Sequence, residues 1–202
     1  MTAEAVQTAA RDGAAHDQAL IRMMVAAYGD DPFIKWVVRK DGKRDAAWNL
    51  FFRTSVERYR PLGAMDVVGD AGGCALWAPP GKFKLSTWEE LRLAPRIIRI
   101  LGLSRLKQGL GALETMDAQH PAEPHYYLYM IAVDPAAQGR GHGSALLRVG
   151  LERVDRDGVG AFLETSNPRN LPLYRRHGFE VVKELLVAPD APNLWFMWRP
   201  PR

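Results

Sequence analysis

Hydrophobic residues recur every three or four positions along three stretches of the chain, which predicts amphipathic helices there. The first stretch, HDQALIRMMVAAYGDD, spans 16–31, and the second, DAAWNLFFRTSVERYRP, spans 45–61. The second helix is expected to end at its terminal proline, because proline has no backbone N–H for the helical hydrogen bond. The third stretch runs from 87 to about 115, where Pro95 and Gly102 are expected to break or kink it.

Short apolar runs bounded by turn residues predict strands. AVQTAA near the start is a short strand candidate, and MDVVGD with GGCALWAPPG predicts a hairpin. HYYLYMIAV, at 125–133, contains no Asp, Glu, Lys or Arg, as is typical of a strand buried near the middle of a sheet. Further along, AFLETS, FEVVKELLV and NLWFMW are strand-like, and NPRNLPLYRRHG is helix-like. This alternation predicts a mixed α/β sheet.

The length of 202 residues is enough for one well-buried core and short for two, so we expect a single domain over 1–202. Hydrophobic residues make up 47% and charged residues 25% of the chain, which is ordinary for a soluble globular protein. Cys74 is the one cysteine, so no internal disulfide can form. Neither a signal-peptide pattern nor roughly 18 uninterrupted apolar residues occurs, and we therefore expect a cytoplasmic protein without a membrane span.

The net charge of +4 mildly favours anionic ligands. Nucleic acid is not an expected partner, because the sequence has no helix-turn-helix, zinc-finger or RNA-recognition pattern and its aromatic residues are not interleaved with basic ones. There is also no Cys/His cluster at metal-ligand spacing, so no metal is expected. The charge therefore favours an anionic ligand without identifying one.

A glycine-rich stretch, QGRGHGS at 138–144, follows the strand 125–133 and precedes a predicted helix. Three alternating glycines let the backbone approach a bulky group or adopt angles that a Cβ forbids. Because helix starts present unpaired N–H groups and the positive end of the helix dipole, a phosphate is the expected guest, with Arg140 as a further partner. The Walker pattern GxxxxGK[ST] is absent, and GxGxG with Leu146 does not match the dinucleotide spacing GxGxxG. The alternative is a flexible turn that only joins strand to helix.

The string QGRGHG at 138–143, directly after VDP at 133–135, resembles the Q/R-x-x-G-x-G/A signature of the GNAT superfamily of acyl-CoA-dependent N-acetyltransferases. Four further residues keep the spacing of that superfamily's N-x6-Y-x3-GF segment: Asn167, Tyr174, Gly178 and Phe179. Similarity to one antibiotic-acetylating member covers nearly the whole chain. The resemblance implies a GNAT fold, which is a mixed, mostly antiparallel sheet of about seven strands flanked by helices. It also implies an acyl-CoA-binding core at about 124–182.

The resemblance further implies how acetyl-CoA is held. The strand 125–133 would separate from its neighbour, so that the pantetheine amides pair with backbone groups of three residues: Ile131, Ala132 and Val133. The diphosphate would lie on the glycine-rich loop: Gln138, Gly139, Arg140, Gly141, His142, Gly143 and Ser144. Asn167 and Asn170 are expected to contact the cofactor arm, with helix capping as the alternative role.

Two residues are candidates for the proton transfers. By resemblance, Tyr174 is the acid that protonates the departing thiolate, and packing against the core is its alternative role. An acceptor amine with a pKa of about 10.4 is protonated at neutral pH, so a base must remove a proton before attack. Glu164, at the exit of the strand AFLETS, is the leading base. Its alternative is a glutamate that is simply exposed or salt-bridged.

Acceptor recognition is assigned to the first helix, the loop after it and the LWAPP turn. Five residues are candidates: Asp31, Trp36, Trp77, His125 and Tyr129. The tryptophans would form an aromatic wall and Asp31 would attract a cationic amine, although tryptophans are commonly core residues. His125 and Asp31 are alternatives for orienting or deprotonating the acceptor, but no histidine is assigned to catalysis.

These observations favour direct transfer of an acetyl group from acetyl-CoA to a primary amine of a small molecule, such as an antibiotic or metabolite, through a ternary complex. No covalent enzyme intermediate is expected, because Cys74 is far from the motifs in sequence and has no evident activating partner. Two alternatives stay open: acetylation of a protein lysine or N-terminus, and a non-catalytic acyl-CoA sensor. The sequence determines neither the acceptor nor the acyl-chain preference, and both a monomer and a homodimer remain open.

Overall fold

Seven strands of the described chain form one sheet. The computed structural model describes residues 6–8 and 14–202, and the strand order of its sheet is β1-β2-β3-β4-β5-β7-β6. In chain order the strands are β1 (Val6–Thr8), β2 (Met65–Val68), β3 (Gly73–Ala78), β4 (His125–Val133), β5 (Gly160–Thr165), β6 (Glu180–Leu186) and β7 (Asn193–Arg199). Only β4 and β5 pair in parallel, whereas the other neighbours are antiparallel. The predicted mixed, mostly antiparallel sheet is thus confirmed.

The helices lie between the strands in chain order. They are α1 (Ala14–Ala27), α2 (Pro32–Val37), α3 (Arg44–Tyr59), α4 (Thr87–Leu101), α5 (Leu106–Asp117), α6 (His142–Arg156) and α7 (Leu171–Arg176). The helix predicted from 87 onward is broken at Gly102, whose φ of +75° suits glycine, but it continues through Pro95. The helix predicted over 167–178 is shorter, because a 3-10 turn at Pro168–Asn170 precedes α7.

The sheet has a hydrophobic core on each face. Side chains alternate between the faces along a strand, so neighbours on β3 belong to different cores. Cys74 and Leu76 pack in the core that contains α1 to α5, whereas Trp77 packs in the core formed with α6 and α7. The face of the sheet on which a side chain lies therefore determines whether it can reach the candidate site.

Trp77 is fully buried under α6 at Gly150. A Cβ built on Gly150 would lie 2.4 Å from the indole ring, closer than any real contact. Glycine at this position therefore lets the helix backbone rest directly on the ring. The close contact, together with the ion pairs described below, holds α6 in place on the sheet.

Replacing Gly150 by alanine is expected to destabilise the protein by about 1–3 kcal/mol, because the new methyl group overlaps the Trp77 ring. Gly111, inside α5, is a matched control, since a Cβ there meets nothing within 4 Å. Gly111→Ala should stabilise by about 0.5–1 kcal/mol through helix propensity alone. Urea denaturation of the two variants measures the difference, and equal stabilisation in both would contradict the packing of Trp77 beneath α6.

Two bidentate ion pairs also tie α6 to the sheet. Arg153 donates to both oxygens of the fully buried Asp66 on β2, at 2.8 and 2.5 Å. Arg199 on β7 donates to both oxygens of Asp155, at 2.7 and 2.9 Å. Paired planar hydrogen bonds of this kind restrict geometry more than a single contact does. The last turn of α6 therefore has a well-defined position relative to β2 and β7.

Candidate active site

A gap opens inside the sheet between β4 and β5. The two strands pair only where His125–Tyr127 meet Gly160–Phe162. Beyond that point β5 continues to pair with β7 and β4 with β3, but the two strands no longer pair with each other. The separation implied by the resemblance is therefore present. It leaves backbone donors and acceptors along one edge of β4 available to another group.

A β-bulge lies at the start of this gap. Leu76 of β3 pairs with Met130, whereas the next residue, Trp77, pairs with Leu128, which leaves Tyr129 as the extra residue in β4. A bulge re-aims side chains, because it places two residues of one strand opposite one residue of the other. Tyr129 and Met130 accordingly line the same cavity, although neighbours in a regular strand point to opposite faces.

Tyr28, which the sequence analysis did not identify, occupies the open edge of β4. Its hydroxyl accepts a hydrogen bond from the Ile131 N–H at 3.2 Å and donates one to the Ile131 carbonyl at 3.1 Å. A tyrosine just after a helix has no sequence signal that would have revealed this long-range contact. A ligand amide that pairs with Ile131 must therefore displace the Tyr28 hydroxyl.

Two of the three glycines in the loop 138–144 are required by backbone conformation. Gly139 has a φ of +76° and Gly141 a φ of +89°, which side chains other than glycine rarely adopt. Gly143 has no such φ, and a Cβ there would make an ordinary contact of 3.5 Å with Leu173. The loop is thus a sharply turned connection from β4 into α6, and its backbone requires glycine at positions 139 and 141.

The loop leaves the start of α6 without a side-chain cap. Gly141 is the N-cap, and the first amide bonded back to it is that of Ala145, at 3.0 Å. The amides of Gly143 and Ser144 therefore have no acceptor within the helix. Gln138 donates to the Val133 carbonyl at 3.3 Å, which joins the loop to the end of β4, whereas Arg140 is exposed. This arrangement suits an anionic group placed beside β4.

A cavity of about 600 Å³ lies on the sheet face that carries α1 to α5. This volume falls in the range of small-molecule sites. Several predicted site residues line it together: Asp31, Tyr129, Glu164, Asn170 and Tyr174. The remaining walls come largely from α2, α3, α4 and α5, and from a loop that contributes Phe83 and Lys84. The fold thus brings the two candidate proton-transfer residues to one cavity.

One carboxylate oxygen of Glu164 accepts a hydrogen bond, whereas the other accepts none from the described residues. Tyr127 donates its hydroxyl proton to Oε1, whereas Oε2 is buried and has no hydrogen-bond partner among the described residues. Burial disfavours the charged form and raises the pKa of Glu164 to about 7. A buried carboxylate with a free oxygen and this pKa is suited to accept a proton at neutral pH. Among the residues that the structure describes, none forms a salt bridge with it.

Tyr174 is buried on α7 and lines the cavity. Its ring lies edge-on to Phe179, with centroids 6.2 Å apart, so it also packs in the core as its alternative role proposes. Burial, with the nearby carboxylates Asp31 and Glu164, raises the pKa of Tyr174 above its usual value. The phenol therefore keeps its proton across the neutral and mildly alkaline range, as an acid must.

Asp31 connects α2 to the end of β5. Its carboxylate accepts from the Ile34 N–H at 2.8 Å as the N-cap of α2, and from the Ser166 hydroxyl at 3.0 Å. Burial raises the pKa of Asp31, against these hydrogen bonds. Ser166, which the sequence analysis did not single out, also accepts from the Phe33 N–H at 3.2 Å. The carboxylate therefore has a well-defined position at the cavity wall.

The two asparagines behave differently. The side-chain oxygen of Asn167 accepts from the Arg169 N–H at 3.1 Å, which is its capping role. Asn170 forms no side-chain cap at the start of α7 and instead lines the cavity. Of the pair, Asn170 is therefore the one whose side chain is available to a ligand.

Three predicted acceptor residues lie outside this cavity. Trp77 faces α6 on the opposite side of the sheet, because its position in β3 alternates with that of Leu76. Trp36 is buried beside the Arg105 guanidinium, 5.3 Å from its ring, at a separate shallow depression. His125 is buried among aromatic rings such as Phe162. The structure thus places these three side chains away from the cavity that Asp31 and Tyr129 line.

Cys74 lies nearer to the site than its sequence position indicates, because it pairs with Ala132 across β3 and β4. Burial raises the pKa of its thiol to about 12, so it is not a thiolate at neutral pH.

Within 6–8 and 14–202, no group of three or more His, Cys, Asp or Glu residues could hold a metal ion. No helix in those same ranges is long and apolar enough to cross a membrane.

Comparison with known proteins agrees with this geometry. Residues 88–179 match the model of the Acetyltransferase (GNAT) family. A mycothiol acetyltransferase from Mycolicibacterium gilvum is 43% identical over 75 residues, which cover 33% of this chain and 25% of that protein. An uncharacterized N-acetyltransferase from Schizosaccharomyces pombe is 23% identical over 185 residues, covering 83% of this chain and 72% of that protein. The chain thus spans only a quarter of the mycothiol acetyltransferase.

Solved structures match over the whole chain. The crystal structure of "histone acetyltransferase HPA2 and related acetyltransferase" from Corynebacterium glutamicum superposes with a TM-score of 0.75 at 27% identity, covering 100% of this chain and 98% of that one. Arylalkylamine N-acetyltransferase 2 from Aedes aegypti superposes with a TM-score of 0.65 at 15% identity, covering 97% of this chain and 98% of that one. The second likeness shows a shared fold alone.

Proposed function

Since the chain carries an acetyltransferase domain of the GNAT family, we propose that it transfers an acetyl group from acetyl-CoA to the primary amine of a small molecule. The observation that carries the proposal is the free Oε2 of Glu164, in the cavity that Tyr174 also lines, beside the gap between β4 and β5. The domain is proposed to comprise 1–202, with the acyl-CoA-binding core at about 124–182. A cytoplasmic location is part of the same proposal.

The residues of the gap and the loop fit acyl-CoA. The open edge of β4 at Ile131, Ala132 and Val133 offers backbone partners for two amides once Tyr28 moves aside. The uncapped start of α6, with Arg140 beside it, suits the diphosphate. Asn170, at the N-cap position of α7, lines the same cavity. When bound, the thioester of the cofactor supplies the activated acetyl group.

In the proposed reaction the chain's residues move two protons. The Glu164 carboxylate removes a proton from the acceptor ammonium, and the resulting amine forms a C–N bond with the thioester carbonyl carbon. A backbone N–H of β4 donates to the carbonyl oxygen while it carries negative charge. When the C–S bond breaks, the electron pair stays on sulfur and the Tyr174 hydroxyl donates a proton to the thiolate. The nitrogen loses its second proton to solvent, which reprotonates the Tyr174 phenolate, and the Glu164 carboxyl releases the first proton to solvent.

The choice of a small-molecule acceptor rests on the cavity walls. Three helices, α3, α4 and α5, enclose the cavity on the side away from the sheet, whereas a protein lysine or N-terminus requires an open groove. The stretch AFLETSNPRNLPLYRRHGF resembles puromycin N-acetyltransferase, so an antibiotic amine belongs to the proposed class. Asp31, Tyr129 and Met130 depart from that enzyme, and all three line the cavity, which argues against puromycin itself.

Incubation with acetyl-CoA and a broad panel of primary amines tests the proposal. We expect stoichiometric release of free CoA and an acetylated amine by mass spectrometry, because the residues supply both proton transfers. Tight CoA binding by calorimetry without turnover of any amine would instead indicate an acyl-CoA sensor. Acetylation of peptides but not of small amines would indicate a protein acceptor.

A further inference from the structure

A pair of histidines with a defined proton arrangement lies beside the proposed acceptor site. His125 Nδ1 is 2.7 Å from the Glu123 carbonyl oxygen, and His125 Nε2 is 3.1 Å from His120 Nδ1. A carbonyl oxygen only accepts, so His125 Nδ1 must carry the hydrogen. Burial lowers the pKa of His125, and lowers that of His120 to about 3, so both rings are neutral.

These contacts determine which ring nitrogens can accept. Since neutral His125 has its hydrogen on Nδ1, its Nε2 is a bare lone pair and accepts from His120 Nδ1–H. His120 then has no hydrogen on Nε2, and its ring bonds to the described residues through Nδ1. The chain from the Glu123 carbonyl through two rings thus ends in a hydrogen-bond acceptor on a residue that lines the cavity.

Aromatic packing holds the His120 ring in place. It stacks on Phe83 with centroids 4.1 Å apart and an angle of 5° between the planes. The Tyr127 ring lies edge-on with its centroid at 4.7 Å, and the Phe162 ring is tilted by 50° with its centroid at 4.6 Å. The neighbouring rings and the hydrogen bond to His125 already restrain the His120 ring. Its Nε2 can therefore bind a ligand without a further loss of side-chain rotational freedom. Such preorganisation favours recognition of a specific partner atom.

His120 is close to the proposed base. The Tyr127 hydroxyl binds Glu164 Oε1, and the Tyr127 ring contacts His120, so a single tyrosine separates the two groups. The wall nearby contains further flat surfaces, including the stacked rings of Tyr59 and Tyr129 with centroids 4.4 Å apart. Flat apolar walls accommodate an aromatic body, and the carboxylates of Asp31 and Glu164 favour a cationic amine.

We propose that the acceptor is a primary amine joined through an alkyl chain to an aromatic ring system that also carries a hydroxyl or N–H donor, and that His120 Nε2 accepts a hydrogen bond from that donor. The inference rests on the proposed acetyl transfer and names its substrate class. His120 is thereby a specificity-determining residue that takes no part in the proton transfers. A site that hydrogen-bonds a substrate hydroxyl discriminates strongly against the analogue lacking it, because the protein acceptor is then left unpaired.

Tyramine and 2-phenylethylamine, which differ by one ring hydroxyl, test the inference. In steady-state assays of CoA release, the native protein is expected to prefer tyramine in kcat/KM by about tenfold or more. His120→Phe keeps a flat ring against Phe83 but has no acceptor, so it should use the two amines within about threefold of each other. His120→Asn, whose side-chain oxygen accepts, should restore part of the preference. A thermal melt of each variant establishes that it is folded.

The outcomes separate this inference from the proposed function. Equal use of the two amines by the native protein, or an equal loss of both in His120→Phe, overturns the role of His120. If other amines of the panel are acetylated but neither aromatic amine is, the substrate class is wrong while acetyl transfer stands. If no amine of any kind supports CoA release, the proposed function itself fails.

Discussion

Replacing Glu164 by glutamine is expected to lower kcat/KM for the amine by about 10²–10⁴-fold, the usual contribution of a positioned general base. Glutamine is nearly the same size and can still accept from the Tyr127 hydroxyl, so the cavity keeps its shape. It cannot accept a proton from an ammonium group. Steady-state rates at saturating acetyl-CoA measure the effect.

The pH profile identifies the base more specifically than the rate does. With the pKa of Glu164 raised to about 7 by burial, kcat/KM of the native protein should rise with pH through that value as the carboxylate forms. The glutamine variant should lack this inflection and keep only the rise that comes from deprotonation of the amine in solution. If the variant keeps an inflection near pH 7, the inflection belongs to a group other than Glu164.

Glu164 also makes stability depend on pH. Its folded pKa of about 7 exceeds the ordinary value of 4.5, so the folded state binds more protons than the unfolded state between these values. The free energy of unfolding should therefore fall as pH rises from 4.5 to 7, and Glu164→Gln should lack this fall. Urea denaturation across that range tests the burial of the carboxylate independently of catalysis.

Asp31→Asn is the matched control for Glu164→Gln, because it removes a carboxylate from the same cavity. Asparagine caps a helix about as well as aspartate, so α2 should keep its start. We expect a higher KM for a cationic amine with a much smaller change in kcat. A loss of kcat as large as that of the glutamine variant would make Asp31 the base.

Replacing Tyr174 by phenylalanine is expected to lower kcat by about 10²–10⁴-fold while the KM for acetyl-CoA changes little. The ring would keep its contact with Phe179, so a loss of packing contributes little. The leaving thiolate would lack its proton donor. Because burial raises the pKa of Tyr174, the native protein should show no alkaline fall in kcat in the mildly alkaline range.

Tyr28→Phe is the control for Tyr174→Phe, since both remove a phenol hydroxyl from the same cavity. The Tyr28 hydroxyl competes for the backbone of Ile131, so its loss should mainly change the affinity for CoA, measured by calorimetry. If Tyr28→Phe lowers kcat as much as Tyr174→Phe does, proton donation cannot be assigned to Tyr174 alone. If kcat is unchanged in Tyr174→Phe, the role of Tyr174 is limited to packing in the core.

The elements that the sequence predicted correctly are those set by local pattern. The uncharged run at 125–133 forms β4, and the glycine loop leads into α6, because strand and helix periodicity and glycine conformations act over a few neighbouring residues. The helix predicted over 167–178 is an exception. A 3-10 turn capped by Asn167 occupies its start, which hydrophobic spacing alone does not distinguish from a helix.

Side-chain placement at the site was less predictable. Trp77 and Tyr129 were both assigned to the acceptor, but only Tyr129 lines the cavity. The bulge in β4 reverses which residues share a face, and its position depends on pairing with β3, some 50 residues away. Tyr28 and His120 were missed because their contacts join segments that are distant in sequence or lie in loops without periodicity.

The sequence by itself determined most of the order of the elements and the glycine loop at the start of α6, since periodicity and glycine conformation are local properties. Its resemblance to a known family singled out Glu164 and Tyr174 as candidates. Only the tertiary structure decided what these groups can do. The gap between β4 and β5, the Tyr127 contact that leaves one Glu164 oxygen free and the lone pair of His120 all arise from long-range packing. Burial and neighbouring groups set pKa and hydrogen-bonding capacity, and neither is encoded at a single position.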